Sequence, residues 1–298
     1  MAGPGSTTRR GVRITDRRTE ERPPGQGNPR AHPSRAAERN DRSAVDDAVV
    51  VEEPLEIRFA GDLLATTMRT PGHDHDLVLG FLWTEGLIDS AADVGTVAPC
   101  GRLGEPGYGN VVDVAPGPGV AIDPVRVEAA RRMTPSTAAC GVCGRRSIDT
   151  LLDRVPPLSV EVGSVAPDAL LRAPEQLREE QPLFGRTGGL HGAAALDADG
   201  SILARGEDVG RHNAVDKVCG ALLRHGLRDR AQILVVSSRL GYEIVQKAIV
   251  ARFPCVVGVS AASSLAIDLA DRAGLTVAAF AREGRATVYT HVERLAPP

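Results

Sequence analysis

Apolar residues alternate with polar ones along "EEPLEIRFAGDLLATTMRT", where Leu55, Ile57 and Phe59 are separated by Glu56 and Arg58. A period of two predicts strands with one buried face, joined as a hairpin at Ala60-Gly61-Asp62. In "DHDLVLGFLWTEGLI" the period changes: Leu77, Leu79, Phe81 and Leu82 approach helical spacing, with Asp74 or Asp76 as the expected cap and Gly86 near the end. "YGNVVDVAPG" predicts another strand, and "DPVRVEAARRM" a helix with Asp123 as cap and Pro124 in its first turn. Ile148, Leu151, Leu152 and Val155 recur at i, i+3, i+4 and i+7 behind Ser147, which predicts a further helix. The stretch "CGVCGRR", residues 140 to 146, therefore occupies a Gly-rich loop between two helices.

After Pro156-Pro157 and a polar connection, partly helical, that runs to Gln181, the pattern changes again. Two strands around Asp199-Gly200 precede the helix "NAVDKVCGALLRHG", with Asn213 in its first turn. Three strands then follow, "QILVVSS", "CVVGVSA" and "LTVAAFAR", separated by the helices "YEIVQKAIVARF" and "SSLAIDLADRAG". Continuous β-branched strands alternating with helices predict a buried, mostly parallel sheet covered by helices. The expected organisation is a tail over residues 1–45, an α+β unit over 46–181 and an α/β unit over 182–298.

Composition sharpens this division. Residues 1–45 carry ten arginines against five carboxylates, leaving +5, whereas the remainder carries 25 basic against 33 acidic residues, leaving −8. The Arg-, Pro- and Gly-rich tail has almost no aliphatic periodicity, so it is expected to be disordered. The mildly acidic remainder argues against a nucleic-acid surface. Aromatics make up 3% of the chain, so aliphatic side chains must supply the core. Five cysteines do not form a disulfide framework at this length, which points to a reducing cytoplasm. No apolar run is long enough to span a membrane, and the paired arginines near the start lack the apolar region of a secretory signal.

Candidate chemistry gathers at three places. The strand ends of the second unit carry Ser237, Ser238 and Arg239, then Ser260, Ser263 and Ser264, then Arg282 and Arg285. Helix N-termini beside them favour an anion such as a phosphate, although serines there also serve as plain caps. "GEDVGRHNAVDK" concentrates Glu207, Asp208, Arg211, His212, Asn213, Asp216 and Lys217 at a strand–helix junction, while His191 follows Gly188 and Gly189 and reads equally as ligand-facing or structural. Finally, Cys140 and Cys143 lie beside Arg145, Arg146 and a helix start, all of which favour the thiolate. A dithiol switch would need a strand before the first cysteine, and a zinc site two further ligands, with Cys100, Cys219 and Cys255 isolated in sequence. A mobile loop with a reactive thiol suits carriage of a chemical group.

Taken in order, "EEPLEIRFAGDLLATTMRTPG", "LGFLWTEGLI", "CGVCG", "GGLHGAA", "EDVGRHNAVDKV", "SSRLGYEIVQKA", "SAASSLAIDLA" and "VYTHVERL" resemble the FdhD family, the formate dehydrogenase accessory sulfurtransferases, from about residue 49 to 295. The resemblance implies a cytidine-deaminase-like three-layer α/β second domain beside the smaller α+β domain. It implies that a cysteine desulfurase loads Cys140 with persulfide sulfur, Cys143 being the second thiol. The sulfur would pass to the molybdenum or tungsten of a bis-molybdopterin guanine dinucleotide, a bound substrate rather than a permanent cofactor, for formate dehydrogenase. The family's cofactor-contacting segment falls on Phe280, Ala281, Arg282, Glu283, Gly284 and Arg285; Ser237, Ser260, His191 and His212 complete the expected site. A homodimer is implied, and no metal site of its own. The alternative is a cofactor-binding chaperone without sulfur chemistry. "PGHDHDL", with His73 and His75, departs from the acidic residues usual there.

Overall fold

A computed structural model describes residues 5–16, 40–105, 107–120, 124–133, 149, 151–161 and 164–297 of the chain. Alternation produces the expected hairpin, β3 (Glu53–Phe59) and β4 (Asp62–Arg69), turning at Ala60 and Gly61, both with positive φ. Leu55, Ile57 and Phe59 point inward together. With β5 (Val94–Pro99) and β6 (Val111–Pro116) they form a four-stranded sheet in the order β4-β3-β6-β5. Strand β5 had no clear signal, because none of its residues is fully buried and its alternation is weak.

The second sheet follows the order β12-β11-β10-β9-β7-β8. Its strands are β7 (His191–Leu196), β8 (Ile202–Asp208), β9 (Ile233–Val236), β10 (Cys255–Gly258), β11 (Thr276–Arg282) and β12 (Arg285–Val288). The expectation of a mostly parallel sheet needs correction, since only β9, β10 and β11 run parallel. The hairpins β7–β8 and β11–β12 return the chain without a helical crossover, and β7, reversed by its hairpin, lies antiparallel to β9.

Helices cover both faces. On one face pack α5 (Arg211–His225), α6 (Tyr242–Val250) and α7 (Ser264–Ala273), burying Ala193, Ala195, Leu234, Val256 and Val277. On the other packs α3 (Pro167–Glu179), whose Leu170, Ala173 and Leu177 meet Ala194, Val235 and Val257. This is the three-layer α/β arrangement expected. The sequence boundary near residue 182 falls just after α3 and at the start of a short helix, α4 (Pro182–Thr187).

The two sheets share one core through α1 (Asp74–Thr84), which crosses α5 at Gly80 and Gly220. Neither expected aspartate caps α1. His73 stands at that position in the left-handed region, while Asp74 pairs with Arg69 and Asp76 with Arg224 of α5. The C-terminal end matches expectation, with Gly86 at φ 71° and Leu87 N–H donating to the Leu82 carbonyl. Helix α2 (Pro124–Met133) also forms where expected; its proposed cap Asp123, like Ser147, lies outside the described residues.

Asp76 is 4% exposed and accepts two hydrogen bonds from Arg224, at 2.6 and 3.1 Å. Burial alone would raise its carboxyl, but His73 and Arg224 outweigh that and hold it at about 2. A depressed carboxyl stabilises the fold above its unfolded value near 4 and loses that contribution as pH falls towards 2, a total of about 2 kcal/mol. Urea midpoints should therefore separate wild type from Arg224→Ala most at neutral pH. The gap should shrink between about pH 4 and about pH 2; a gap independent of pH contradicts the pairing.

The stretch read as a disordered tail contains β1 (Ser6–Asp16) and the first half of β2 (Asn40–Val50), which pair antiparallel. Tertiary docking supplies what composition did not reveal. A Cβ on Gly5 would lie 2.7 Å from Leu183, and one on Gly189 3.3 Å from Val50, so this ribbon is seated against α4 and the loop after it.

Candidate functional site

The carboxyl ends of β9, β10 and β11 open onto a cavity of about 880 Å³. Ser237, Val259, Ala281, Arg282 and Glu283 line it from the strand ends, and His191 and Leu190 from the start of β7. Helices α3 and α4, with Gln181 between them, close it with Pro174, Glu175, Leu177, Arg178, Glu179 and Phe184. Parallel strands end here together because βα connections return each one in the same direction, which leaves a crevice at the strand edge.

Five expected site residues meet at this cavity: His191, Ser237, Ala281, Arg282 and Glu283. Ser237 is fixed by two bonds to Gly192. Its backbone N–H donates to the Gly192 carbonyl at 2.9 Å, and its Oγ accepts from the Gly192 N–H at 3.0 Å. Burial lowers the His191 imidazole below its ordinary value, and the nearby Arg211 and His212 lower it further, so it is neutral at pH 7.

The other members of the set stand around the rim. Ser260 receives the backbone N–H of Phe280 at 3.0 Å, holding β11 against the loop after β10. Phe280 has φ 54° and is 43% exposed, where the ladder between β11 and β12 slips. Glu283 and Gly284 form the tight turn, both with positive φ, and Arg285 is paired at the surface with Glu283 at 2.7 Å. His212 lies in the first turn of α5 with its Nε2 2.5 Å from Glu243 of α6, a contact that holds the Glu243 carboxyl below its ordinary value. Ser263 is an ordinary cap, its Oγ accepting from the Ala266 N–H. Cys140 and Cys143 lie outside the described residues, as do Arg145 and Arg146.

Most of "GEDVGRHNAVDK" serves the scaffold. Asp208 accepts from the Thr70 N–H and pairs with Lys217 at 2.8 Å; Lys217 also reaches the Thr70 and Glu207 carbonyls. Asn213 binds the Met68 carbonyl, and Asp216 is bonded to Thr84 and Lys247. Glu207 accepts the first N–H groups of α4, those of Leu183 and Phe184, and so fixes one wall of the cavity.

Sequence reasoning missed that wall. Residues 170, 173, 174 and 177 of α3 carry apolar side chains at helical spacing, a signal available within the stretch read as a connection. Nothing local showed Gln181, Phe184 and Arg178 converging on the strand ends. The Arg178 guanidinium sits 4.2 Å above the Phe184 ring.

Among the described residues, no group of three or more His, Cys, Asp or Glu side chains is placed to hold a metal ion. Of the described cysteines, Cys219 and Cys255 are buried, and burial pushes both thiols up, Cys255 to about 11. They are poor nucleophiles at neutral pH. No described helix is long and apolar enough to cross a membrane.

The model of the FdhD/NarQ family matches residues 50–296. The chain is 56% identical over 259 residues to a protein of Anaeromyxobacter dehalogenans (strain 2CP-1) named sulfur carrier protein FdhD, covering 85% of this chain and 90% of that one. A protein of the same name from Mycobacterium tuberculosis is 46% identical over 258 residues, covering 84% and 92%. A crystal structure from Desulfotalea psychrophila, described as a candidate formate dehydrogenase accessory protein, superposes with a TM-score of 0.69 at 23% identity. It covers 98% of this chain and all of its own, and shares the fold.

Proposed function

The chain belongs to the FdhD/NarQ family, and from that premise we propose that it is a sulfur carrier serving formate dehydrogenase, acting as a sulfurtransferase. The observation that carries this reading is the match over residues 50–296 to relatives named sulfur carrier proteins, a span that includes Cys140-Gly-Val-Cys143. In the proposed cycle a cysteine desulfurase presents a persulfide. The Cys140 thiolate attacks its outer sulfur and becomes Cys140–S–SH, while the donor leaves as a thiolate.

Release needs a second nucleophile. The Cys143 thiolate attacks the Cys140 sulfur, forming a disulfide as the S–S bond to the outer sulfur breaks and hydrosulfide leaves with the electron pair. The two thiols are oxidised, the carried sulfur is reduced, and a thiol reductant resets the pair. The acceptor is the metal of a bis-molybdopterin guanine dinucleotide, held as substrate in the cavity at the strand ends. Arg282 and Ser237 suit its phosphates, and Pro174, Leu177 and Phe184 on the α3 and α4 wall suit its rings. The neutral His191 can accept or donate a hydrogen bond there.

Intact-mass spectrometry after incubation with a cysteine desulfurase and cysteine tests the carrier role. Wild type should gain roughly the mass of one sulfur atom, and Cys140→Ala should gain none. If wild type gains nothing yet still binds the cofactor, the protein is a binding chaperone and the carrier reading fails.

A further inference from the structure

Gln181 is 6% exposed, lines the cavity, and its side-chain Nε2 has no hydrogen-bond partner. Such a group is costly, because a buried amide donor without an acceptor forfeits its hydration without replacement. The surroundings look built to accommodate it. A Cβ on Gly192 of β7 would lie 2.5 Å from the Gln181 Cδ, so the amide packs directly over a strand position that any larger residue would force it to leave. Gly192 is itself held by the two bonds to Ser237, and the chain after Gln181 is held by Glu207 through the first turn of α4.

The cavity wall on this side has Pro174, Leu177 and Phe184 as its apolar part, with Arg178 stacked on the Phe184 ring and Glu175 and Glu179 beside them, whereas Arg282 stands at the strand-end side. Resting on the reading above that a guanine dinucleotide cofactor binds here, we propose that Gln181 is the residue that contacts the base. The base lies against the α3 and α4 wall and the phosphates lie towards Arg282. A purine edge offers a donor and an acceptor side by side, and a side-chain amide matches that pair. The terminal torsion of glutamine is soft, so the amide can turn its free donor onto the ring edge without moving the backbone.

The test uses the full chain with GDP and inorganic pyrophosphate as probes in isothermal titration calorimetry. Gln181→Met keeps the side-chain length and removes the amide; it should weaken GDP about tenfold, the loss of one buried hydrogen bond. Pyrophosphate affinity should be unchanged, and the Tm should hold or rise, because an unpaired buried group has been removed. Gly192→Ala, which displaces the amide, should reproduce the selective loss. Equal GDP affinity in wild type and Gln181→Met overturns the assignment, as does a parallel loss of both probes. A wild type that binds neither probe overturns the cofactor reading itself, and this assignment with it.

Discussion

Gly220→Ala should destabilise the protein by about 3 kcal/mol or more, the opposite of what helix propensity indicates. Alanine in a helix interior is favoured over glycine by about 1 kcal/mol, and Gly220 lies well inside α5. The crossing with α1 reverses the sign. A Cβ at Gly220 would stand 2.6 Å from the Asp76 carbonyl carbon, and one at Gly80 would stand 2.6 Å from that of Asp216. These neighbours are helix backbone, which cannot swing aside as a side chain can, so the helices must separate and the core shared by the two sheets must open. The single tryptophan, Trp83, sits on α1 and is 4% exposed, so its fluorescence reports the unfolding. A urea midpoint for Gly220→Ala at or above that of wild type would show that the helices do not meet here.

Lys247→Met should cost about 3 to 5 kcal/mol, the range for stripping one partner from a buried ion pair. The Lys247 ammonium is bonded to Asp216 at 2.9 Å, Glu85 at 3.1 Å and Thr84 Oγ1 at 2.9 Å, with the Phe81 ring 5.7 Å away. Burial would lower its pKa, yet the two carboxylates outweigh burial and raise it, so the lysine stays charged across the working pH range. Removing it leaves Asp216 and Glu85 to face each other in a low-dielectric setting. Adding Asp216→Asn to Lys247→Met should recover part of the loss, since one of the two unpaired charges goes with it. Equilibrium unfolding of the two single variants and the double measures this directly. A Lys247→Met cost under about 1 kcal/mol would mean that the cluster is solvated.

Gly220 and Lys247 gain their importance only in the assembled fold. "EDVGRHNAVDK" is dense in functional-type residues because it braces two layers: Asp208, Asn213 and Lys217 tie the end of β4 to α5, and Asp216 ties α5 to α6 and α1. A stretch rich in charge at a strand–helix junction has the same local signature whether its partners are a ligand or the rest of the protein. Ser263 makes the same point on a smaller scale, since its hydroxyl serves α7 alone. By contrast, the place of Ser237 and Arg282 at a crevice was legible, because strand ends in an α/β sheet face one wherever neighbouring strands are parallel, whereas His191, at the start of an antiparallel strand, read equally as structural.

Hydrophobic period by itself determined the kind and order of most elements, from the β3–β4 hairpin to the strands β9, β10 and β11, because the period records which face of each element avoids water. It also placed the CxxC motif and the polar strand ends in order along the chain. Tertiary structure alone decided that α1 and α5 touch at two glycines, that the ribbon of β1 and β2 docks on α4, and that Gln181 faces the strand ends across a cavity. Burial of apolar surface is non-directional, so a pattern can specify that a face is covered without specifying by what. Steric fit and hydrogen-bond pairing choose the partner, and both depend on residues far apart in the chain.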